Sequence, residues 1–534
     1  MIVIKKIKKI FSSMPRRDRL SVAVLGVIFV LAIGHLVFKN IEFGFGNDKD
    51  IFAEGVIGKI SDINPLFVDI NDTDRDISHL IFSGLVKYDP VTKNFLPDLA
   101  EKWEKSSDNR TYTFTLKENV FWHDGVQFGA DDVIFTYKNV ISYPFFRNPV
   151  LKETFDKIQI SKNSNNSVSF KLPRANSYFI SQLTTGIVPQ HILENIPVAT
   201  MEKASFGLHP IGTGPYSFTG MKTSEDGDYV DLEYFPKYYG EIPKIKRFRF
   251  YAFNDENTLM NTISSLHSIA KVGKNSDFAK KIAESKQFVS HDYSLNQFTA
   301  LFFNNDNIFL KDKKVRQALK LGLDKKALIA EGEREVDKLE MIENIKNITS
   351  VTADPAKAAA ALNGNVANLT MLVHTKTPKT VAESIKKQWG DLGINITIKT
   401  AEKEDFYNMV AKREYDILLI RQNLGYNRDV YSLFHSSQIK GSDVATGGLN
   451  YAQFKSFQTD GLTEALRKEK DQRDKEKLLL ELSKSIEDEV PVIFISTPIY
   501  SYFIDNSLQS WSAESLDFHS DRFTLIPYLS FNIL

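Results

Sequence analysis

One uncharged stretch near the start of the chain constrains its topology more than any other feature. Residues 20–38 contain no charged side chain, and as a helix they span roughly 28 Å, close to the hydrocarbon thickness of a bilayer. The preceding residues 1–19 carry seven Lys and Arg residues against the single acid Asp18. This asymmetry predicts a single-pass transmembrane helix in the cell membrane, with a basic cytoplasmic arm before it and an extracytoplasmic region after it.

A cleaved signal peptide is the alternative for residues 20–38. The apolar run is longer than the usual signal core, and no small-x-small cleavage site follows it in residues 39–43. We therefore expect an uncleaved signal anchor, followed by a short stalk at residues 39–50. The chain has no cysteine, which excludes a lipid anchor on an N-terminal cysteine, a disulfide framework and a cysteine nucleophile.

The overall composition is that of a folded globular chain. Hydrophobic residues make up 42% and charged residues 25%, which argues against wholesale disorder and against a multi-span membrane protein. The 67 basic and 67 acidic residues cancel, but the arm alone holds a charge of +6, so the remainder of the chain carries −6. A weakly acidic extracytoplasmic part argues against nucleic acid as a partner.

Strand and helix patterns are mixed from residue 51 onward. Apolar and polar side chains alternate in residues 111–116, the pattern of a half-buried strand, whereas Val381, Ile385 and Trp389 recur at helical spacing. Uninterrupted apolar runs at 417–420 and 490–495 predict buried strands. The chain is therefore expected to be α/β, with more than one sheet and more than one core.

A series of short motifs runs through the chain in a fixed order. They are IFSGLVKYDP at 81–90, LPDLAEKW at 96–103, YTFTLK at 112–117, FWHDG at 121–125, ADDV at 130–133, IVPQHIL at 187–193, IGTGPY at 211–216, KVRQAL at 314–319 and DPAKA at 354–358. Each motif alone is weak, but their order and spacing are specific. In this series the chain resembles the bacterial extracellular solute-binding proteins of family 5, the oligopeptide, dipeptide and nickel receptors of ABC importers.

The resemblance implies a two-lobed, periplasmic-binding-protein-like clamp that encloses its ligand. Mapped onto this chain, lobe one comprises residues 51–290 plus 490–534, with an extra subdomain inserted at about 83–205, and lobe two comprises residues 291–489. The implied function is capture of a peptide or peptide-like solute and its delivery to separate permease and ATPase subunits. Such a receptor is a monomer, carries out no chemistry and needs no cofactor or protein-bound metal.

The resemblance also indicates ligand-binding positions, and the chain departs from the family there. After a buried strand, peptide receptors of this family usually carry Trp-x-x-Asp-x-x-Asp-Pro, whose first Asp neutralises the peptide amine. Here Asn423 stands at the Trp, Tyr426 at the first Asp and Asp429 at the second. A phenol does not supply the charge-assisted bond of a carboxylate, so an amine would need Asp429. Arg421, a potential carboxylate ligand, and Asn64, near the first strand turn, complete the predicted ligand-binding set.

Other patterns in the sequence indicate other sites and functions less specifically. The GTGP run at 212–215 lacks the Lys-Ser/Thr that completes a phosphate loop. Asp124, Asp131 and Asp132 could form a glycosidase carboxylate pair, but acids at a helix start explain them more simply. The ten histidines show no zinc-binding spacing. Two alternative functions stay open: a non-transporting surface sensor or chaperone-like receptor on the same fold, and a hydrolase.

Overall fold

The computed structural model describes residues 51–68, 71–155, 157–336, 352–375, 377, 379–426, 428–439, 448–508 and 515–528. The predicted basic arm, transmembrane helix and stalk at residues 1–50 lie outside these ranges. Of the helices in the described ranges, none is both long enough and apolar enough to cross a bilayer. The described part of the chain is a mixed α/β structure, as the sequence patterns predict.

The strands are numbered in chain order. They are β1 Ile51–Ile57, β2 Val86–Asp89, β3 Asn94–Pro97, β4 Ala100–Lys105, β5 Thr111–Leu116, β6 Gln159–Ser164, β7 Ser167–Lys171, β8 Tyr216–Ser224, β9 Gly227–Tyr234, β10 Arg247–Phe253, β11 Ser268–Gly273, β12 Phe288–Leu295, β13 Gln297–Phe303, β14 Glu333–Glu335, β15 Ala367–His374, β16 Ile394–Ala401, β17 Ile417–Asn423, β18 Val492–Asp505 and β19 Ser515–Leu516.

The α-helices are numbered in the same way. They are α1 Asp72–Ile81, α2 Ala130–Ile134, α3 Pro149–Phe155, α4 Gln190–Leu193, α5 Glu256–Thr262, α6 Asp277–Glu284, α7 Lys313–Leu321, α8 Pro355–Leu362, α9 Lys379–Gly390, α10 Lys403–Lys412, α11 Tyr431–Phe434, α12 Phe457–Lys468 and α13 Gln472–Glu489. A π-helical segment, Phe135–Ile141, continues α2, and a 3₁₀ segment, His519–Tyr528, follows β19.

One large sheet runs through the described structure, and its main path is β16-β15-β17-β13-β18-β11-β1-β10-β9-β8. The 14-residue strand β18 joins its two halves. The first part of β18 pairs antiparallel with β13, and the part from Ile499 onward pairs antiparallel with β12. Only Asn296 separates β12 from β13. Two adjacent stretches of chain therefore connect the halves, at Asn296 and in the middle of β18.

The buried apolar residues divide at the same two places. One pair of clusters, which includes Phe52 and Trp122, draws on residues 52–295 and 502–523. The other pair, which includes Trp389 and Phe434, draws on residues 298–495. Because each half buries its own apolar side chains, the two can move relative to each other with little disturbance of either core.

A buried ion network fixes the C-terminal segment to the first strand and first helix. The Arg522 guanidinium donates to Glu54 from Nε at 3.2 Å and to Asp76 at 2.9 Å, and Lys271 contacts the same Asp76 oxygen at 3.0 Å. Burial alone would raise the pKa of Asp76, but the two cations outweigh it and lower that pKa. Removing one partner from such a network typically costs about 3–5 kcal/mol.

Candidate ligand-binding cavity

A cavity of about 1420 Å³ lies between the two halves of the structure. The half whose apolar clusters draw on residues 52–295 and 502–523 is called lobe one, and the half whose clusters draw on residues 298–495 is called lobe two. Helix α1 and strand β2 contribute wall residues from lobe one, and helix α10 and the end of β17 contribute them from lobe two. Most pockets for drug-sized molecules occupy about 300–1,000 Å³. This cavity is larger, so it has room for an extended ligand of several residues.

The two lobes contact each other at the C-terminus of helix α12. The Ser177 backbone N–H donates to the Arg467 carbonyl at 2.9 Å, and the Ser177 hydroxyl donates to the Leu466 carbonyl at 3.2 Å. The Asn109 side-chain amide donates to the Lys468 carbonyl at 3.0 Å. The last carbonyls of a helix lack partners within the helix. Groups from lobe one therefore cap a helix of lobe two, so the two lobes are in direct contact in this structure.

A second contact between the lobes is formed by the residues that follow β17. Arg428 donates to Asp517 at 2.7 Å, and the Tyr426 hydroxyl donates to Asp521 at 2.5 Å. The Tyr426 ring also packs against Phe518, with 4.8 Å between ring centroids, and against Tyr88, at 4.9 Å. Tyr426 is thus a packed contact between lobes, and its hydroxyl proton is already donated within the protein.

Burial governs the ionisation of this second contact. Asp521 is fully buried, and burial together with the nearby Asp517 raises its pKa to about 7, although three hydrogen bonds oppose the rise. Burial, reinforced by Asp521, also raises the pKa of Tyr426 well above its usual value. The phenol therefore stays neutral and cannot replace an ionised carboxylate as the partner of an ammonium group.

The carboxylate of Asp429 lines the cavity but already has a cation. One Asp429 oxygen accepts from Arg467 Nε at 2.8 Å and Nη2 at 2.6 Å, and the other accepts from the Tyr431 N–H at 3.1 Å. The Arg467 guanidinium also lies over the Tyr431 ring, 3.6 Å from its centroid. An amine that approaches Asp429 would have to compete with this bound guanidinium. The pairing of Arg467 with Asp429 could not be read from the sequence.

Arg421 and Asn423 also line the cavity. Arg421 Nε donates to Thr299 at 3.1 Å, and its Nη2 pairs with Glu333, yet the side chain remains 40% exposed. The Asn423 side-chain oxygen accepts from the Gly425 N–H at 2.8 Å and thereby shapes the turn after β17. Arg421 still presents part of its guanidinium to the cavity, while Asn423 shapes the wall.

Asn64 is placed differently from the other predicted ligand-binding residues. It is 1% exposed, and its side-chain oxygen accepts from the Leu66 N–H at 3.1 Å. Its neighbours Pro65 and Phe67 line the cavity, whereas Asn64 itself is not part of the wall. Its position is that of a turn residue beneath the wall.

The acids considered for glycosidase chemistry lie away from the cavity and have structural partners. Asp132 accepts from the Gly129 N–H at the start of α2 at 3.0 Å. Asp131 pairs with Lys162 and Asp124 with His191, each at 2.8 Å. None of the three lines the cavity. Among the described residues, no group of three His, Asp or Glu side chains is arranged to hold a metal ion.

Sequence reasoning missed the cavity face of helix α1. Asp72, Arg75 and His79 line the cavity from this helix, whose N-cap Asn71 accepts from the Thr73 N–H at 3.0 Å. Positions i, i+3 and i+7 lie on one face of a helix. Polar residues at this spacing, directly after an Asn that can cap a helix, therefore predict a helix with one polar face.

Comparison with known proteins places this architecture in a family. The family model described as Bacterial extracellular solute-binding proteins, family 5 Middle, matches residues 94–442. The chain is 25% identical over 527 residues to oligopeptide-binding protein AppA of Bacillus subtilis (strain 168), covering 90% of this chain and 94% of that protein. It is 30% identical over 286 residues to the dipeptide-binding protein of Escherichia coli (strain K12), covering 47% of this chain and 49% of that one.

Solved structures share the fold. The structure of NikZ from Campylobacter jejuni in complex with Ni(L-His) aligns with a TM-score of 0.72 at 23% identity, covering 90% of this chain and 99% of that one. AppA from Bacillus subtilis in complex with a nonapeptide aligns with a TM-score of 0.71 at 23% identity, covering 90% and 98%. The chain belongs to the bacterial extracellular solute-binding proteins of family 5, whose members bind the substrates of ABC importers.

Proposed function

We propose that this protein is a membrane-anchored, extracytoplasmic receptor that binds a peptide or peptide-like solute between its two lobes and delivers it to an ABC permease. Residues 1–19 are its cytoplasmic arm, 20–38 its transmembrane anchor and 39–50 its stalk. Lobe one is residues 51–290 plus 490–534, and lobe two is residues 291–489. The receptor is a monomer, and a separate ATPase subunit supplies the energy of transport.

The observation that carries this proposal is the 1420 Å³ cavity with walls from both lobes. A ligand favours closure only through contacts that it makes in the closed state. A solute in this cavity would touch α1 on one side and the end of β17 on the other, and so would supply such contacts. The volume suits an extended solute, in agreement with relatives that are named for oligopeptides and dipeptides.

Polar groups on the cavity wall suit a peptide backbone. Gln297 and Thr299 at the start of β13 line the cavity, as do Gln422 and Asn423 at the end of β17. Their amide and hydroxyl groups can donate to and accept from main-chain amides. A few placed polar groups on a largely apolar wall are typical of ligand sites.

The proposal is tested on the full chain purified in detergent. Native mass spectrometry is expected to detect a co-purified peptide or peptide-like molecule. Libraries of peptides of three to nine residues are expected to raise the melting temperature, because a ligand that binds only the folded state stabilises it. The proposal is wrong if repeated preparations are empty and no peptide changes the melting temperature.

A pair of variants separates cavity binding from unspecific stabilisation. Gln422 lines the cavity, whereas Gln159 lies exposed in β6 of lobe one. Gln422→Ala is expected to reduce the peptide-induced rise in melting temperature, and Gln159→Ala is expected to leave it unchanged. Equal rises in both variants would place peptide binding outside this cavity.

A further inference from the structure

The charges on the cavity wall indicate which chemical class of solute the receptor accepts. Among the described residues, five carboxylates line the cavity: Asp72, Asp98, Glu202, Glu333 and Asp429. Four of them lie within 4 Å of an Arg side chain. Arg75 contacts Asp72 at 2.5 Å, Arg147 faces Glu202 at 3.7 Å, Arg421 contacts Glu333, and Arg467 contacts Asp429 at 2.6 Å.

The fifth carboxylate, Asp98, is buried and bonds to a neutral partner. The Tyr239 hydroxyl donates to it at 2.5 Å. Burial raises the pKa of Asp98, against the opposing effects of the Tyr239 bond and the nearby Lys87 and Lys117. Each of these five described carboxylates therefore has a cation or a hydrogen-bond donor of the protein beside it.

Two cations of the wall lack a carboxylate within ion-pair distance in the part of the chain that the structure describes. Lys87 lies exposed on β2 of lobe one. Arg413 of lobe two donates only to backbone carbonyls, those of Val410 at 2.7 Å, Gly448 at 2.5 Å and Asn450 at 3.4 Å. Each lobe thus presents the cavity with a cation that forms no ion pair with a described carboxylate, although Lys87 lies close enough to the buried Asp98 to influence its pKa.

These pairings decide which charged groups a solute can bring into the cavity. An ammonium group that leaves water needs an ionised carboxylate with free lone pairs. At Glu333 and Asp429 it would have to compete with a guanidinium that is already bound, and at Asp72 and Glu202 with an Arg side chain that lies alongside. A solute carboxylate, in contrast, meets Lys87 and Arg413 without displacing any acid.

We propose that the solute is an acid without a free ammonium group, namely a peptide-like molecule that has a blocked N-terminus and a free carboxylate. Neither Tyr426, whose hydroxyl is bound to Asp521, nor Asp429, which is bound to Arg467, offers an amine an unpaired carboxylate. Lys87 binds the carboxylate of the solute. This inference rests on the proposed function and narrows its solute class.

The test uses a tetrapeptide library in four forms: unmodified, N-acetylated, C-amidated, and both N-acetylated and C-amidated. The full chain in detergent is mixed with equal amounts of the four forms, and native mass spectrometry measures what is retained. N-acetylated peptides with a free carboxylate are expected to be retained about tenfold more than the unmodified peptides. C-amidation is expected to weaken retention about tenfold, because it removes one charge-assisted contact.

Two variants test whether the preference for a free carboxylate depends on Lys87. Lys87→Gln is expected to abolish the preference for a free C-terminal carboxylate, whereas Lys171→Gln, at an exposed position of β7 outside the cavity, is expected to keep it. Preferential retention of unmodified peptides, or equal retention of acids and amides, overturns this inference but leaves the proposed function standing. Retention of none of the four forms overturns the proposed function, and this inference with it.

Discussion

Two buried aspartates control the contact that Tyr426 makes between the lobes. Asp521 accepts hydrogen bonds from the Tyr426 hydroxyl at 2.5 Å and from the backbone N–H groups of Asp517 and Phe518, each at 2.9 Å. Burial also raises the pKa of Asp517, although Arg428 opposes the rise. Two carboxyl groups in one buried site resist simultaneous ionisation. The protonation state of Asp521 therefore affects both folding and lobe contact.

Asp521→Asn is expected to change the pH dependence of stability. The folded-state pKa is about 7 against an ordinary value of 3.8, so folding favours the protonated form. The parent therefore loses stability as pH rises from about 4 to about 7, by at most about 1.4 kcal/mol per pH unit, and the amide variant does not. Urea unfolding at pH 4.5 and pH 7 measures this effect. The free energy of unfolding of the parent, relative to that of the variant, should be lower at pH 7 than at pH 4.5.

The control for this measurement is Asp277→Asn at the exposed start of α6, where the side chain is 93% exposed. Its stability difference from the parent is expected to stay nearly constant between the two pH values. If the difference in free energy of unfolding between the parent and Asp521→Asn is also the same at pH 4.5 and pH 7, Asp521 does not titrate in this range.

At the scale of the secondary-structure elements, helix α12 is capped by hydrogen-bond donors from the other lobe. Its terminal carbonyls accept from Ser177 and Asn109 of lobe one, as described above. In an open arrangement of the lobes, these carbonyls would lose their protein donors and bond to water instead. The same helix carries Arg467, which holds Asp429 in place at the cavity wall. Closure and the arrangement of the cavity wall are therefore physically connected through α12.

Ser177→Ala is expected to shift the clamp toward the open state. It removes one hydroxyl bond to the Leu466 carbonyl, a loss of about 1 kcal/mol, or about fivefold in the ratio of closed to open molecules. Because the chain has no cysteine, dyes on Glu225→Cys and Glu481→Cys can report the distance between lobes by energy transfer. Transfer efficiency without added solute should fall in the variant.

Ser217→Ala is the matched control, because its hydroxyl donates to the Glu233 carbonyl at 3.1 Å within lobe one. It removes the same kind of bond without crossing the cavity, and energy transfer should match that of the parent. If both variants behave alike, the bond between Ser177 and helix α12 has no part in holding the clamp closed.

For the molecule as a whole, local sequence patterns predicted elements well but not the contacts between distant residues. The alternation in 111–116 is strand β5, with alternating burial, and the apolar run 417–420 opens β17. The partners of Tyr426 and Asp429 were not predictable, because Asp521 is 95 positions from Tyr426 and Arg467 is 38 positions from Asp429. No local periodicity carries such pairings: packing between the lobes determines the first, and packing within lobe two determines the second.

Residues 1–40 are expected to hold the entire receptor at the membrane. The apolar stretch at 20–38 has the length of a bilayer span, and the +6 arm before it favours a cytoplasmic N-terminus. The full chain should therefore sediment with membranes and stay there through a wash at high salt and alkaline pH. A chain that lacks residues 1–40 should appear in the supernatant, since the remaining charge of −7 gives no attraction to an anionic bilayer. If this shortened chain still sediments with membranes after the same wash, the prediction of an anchor at residues 20–38 is wrong. The lobes themselves would then contact the membrane.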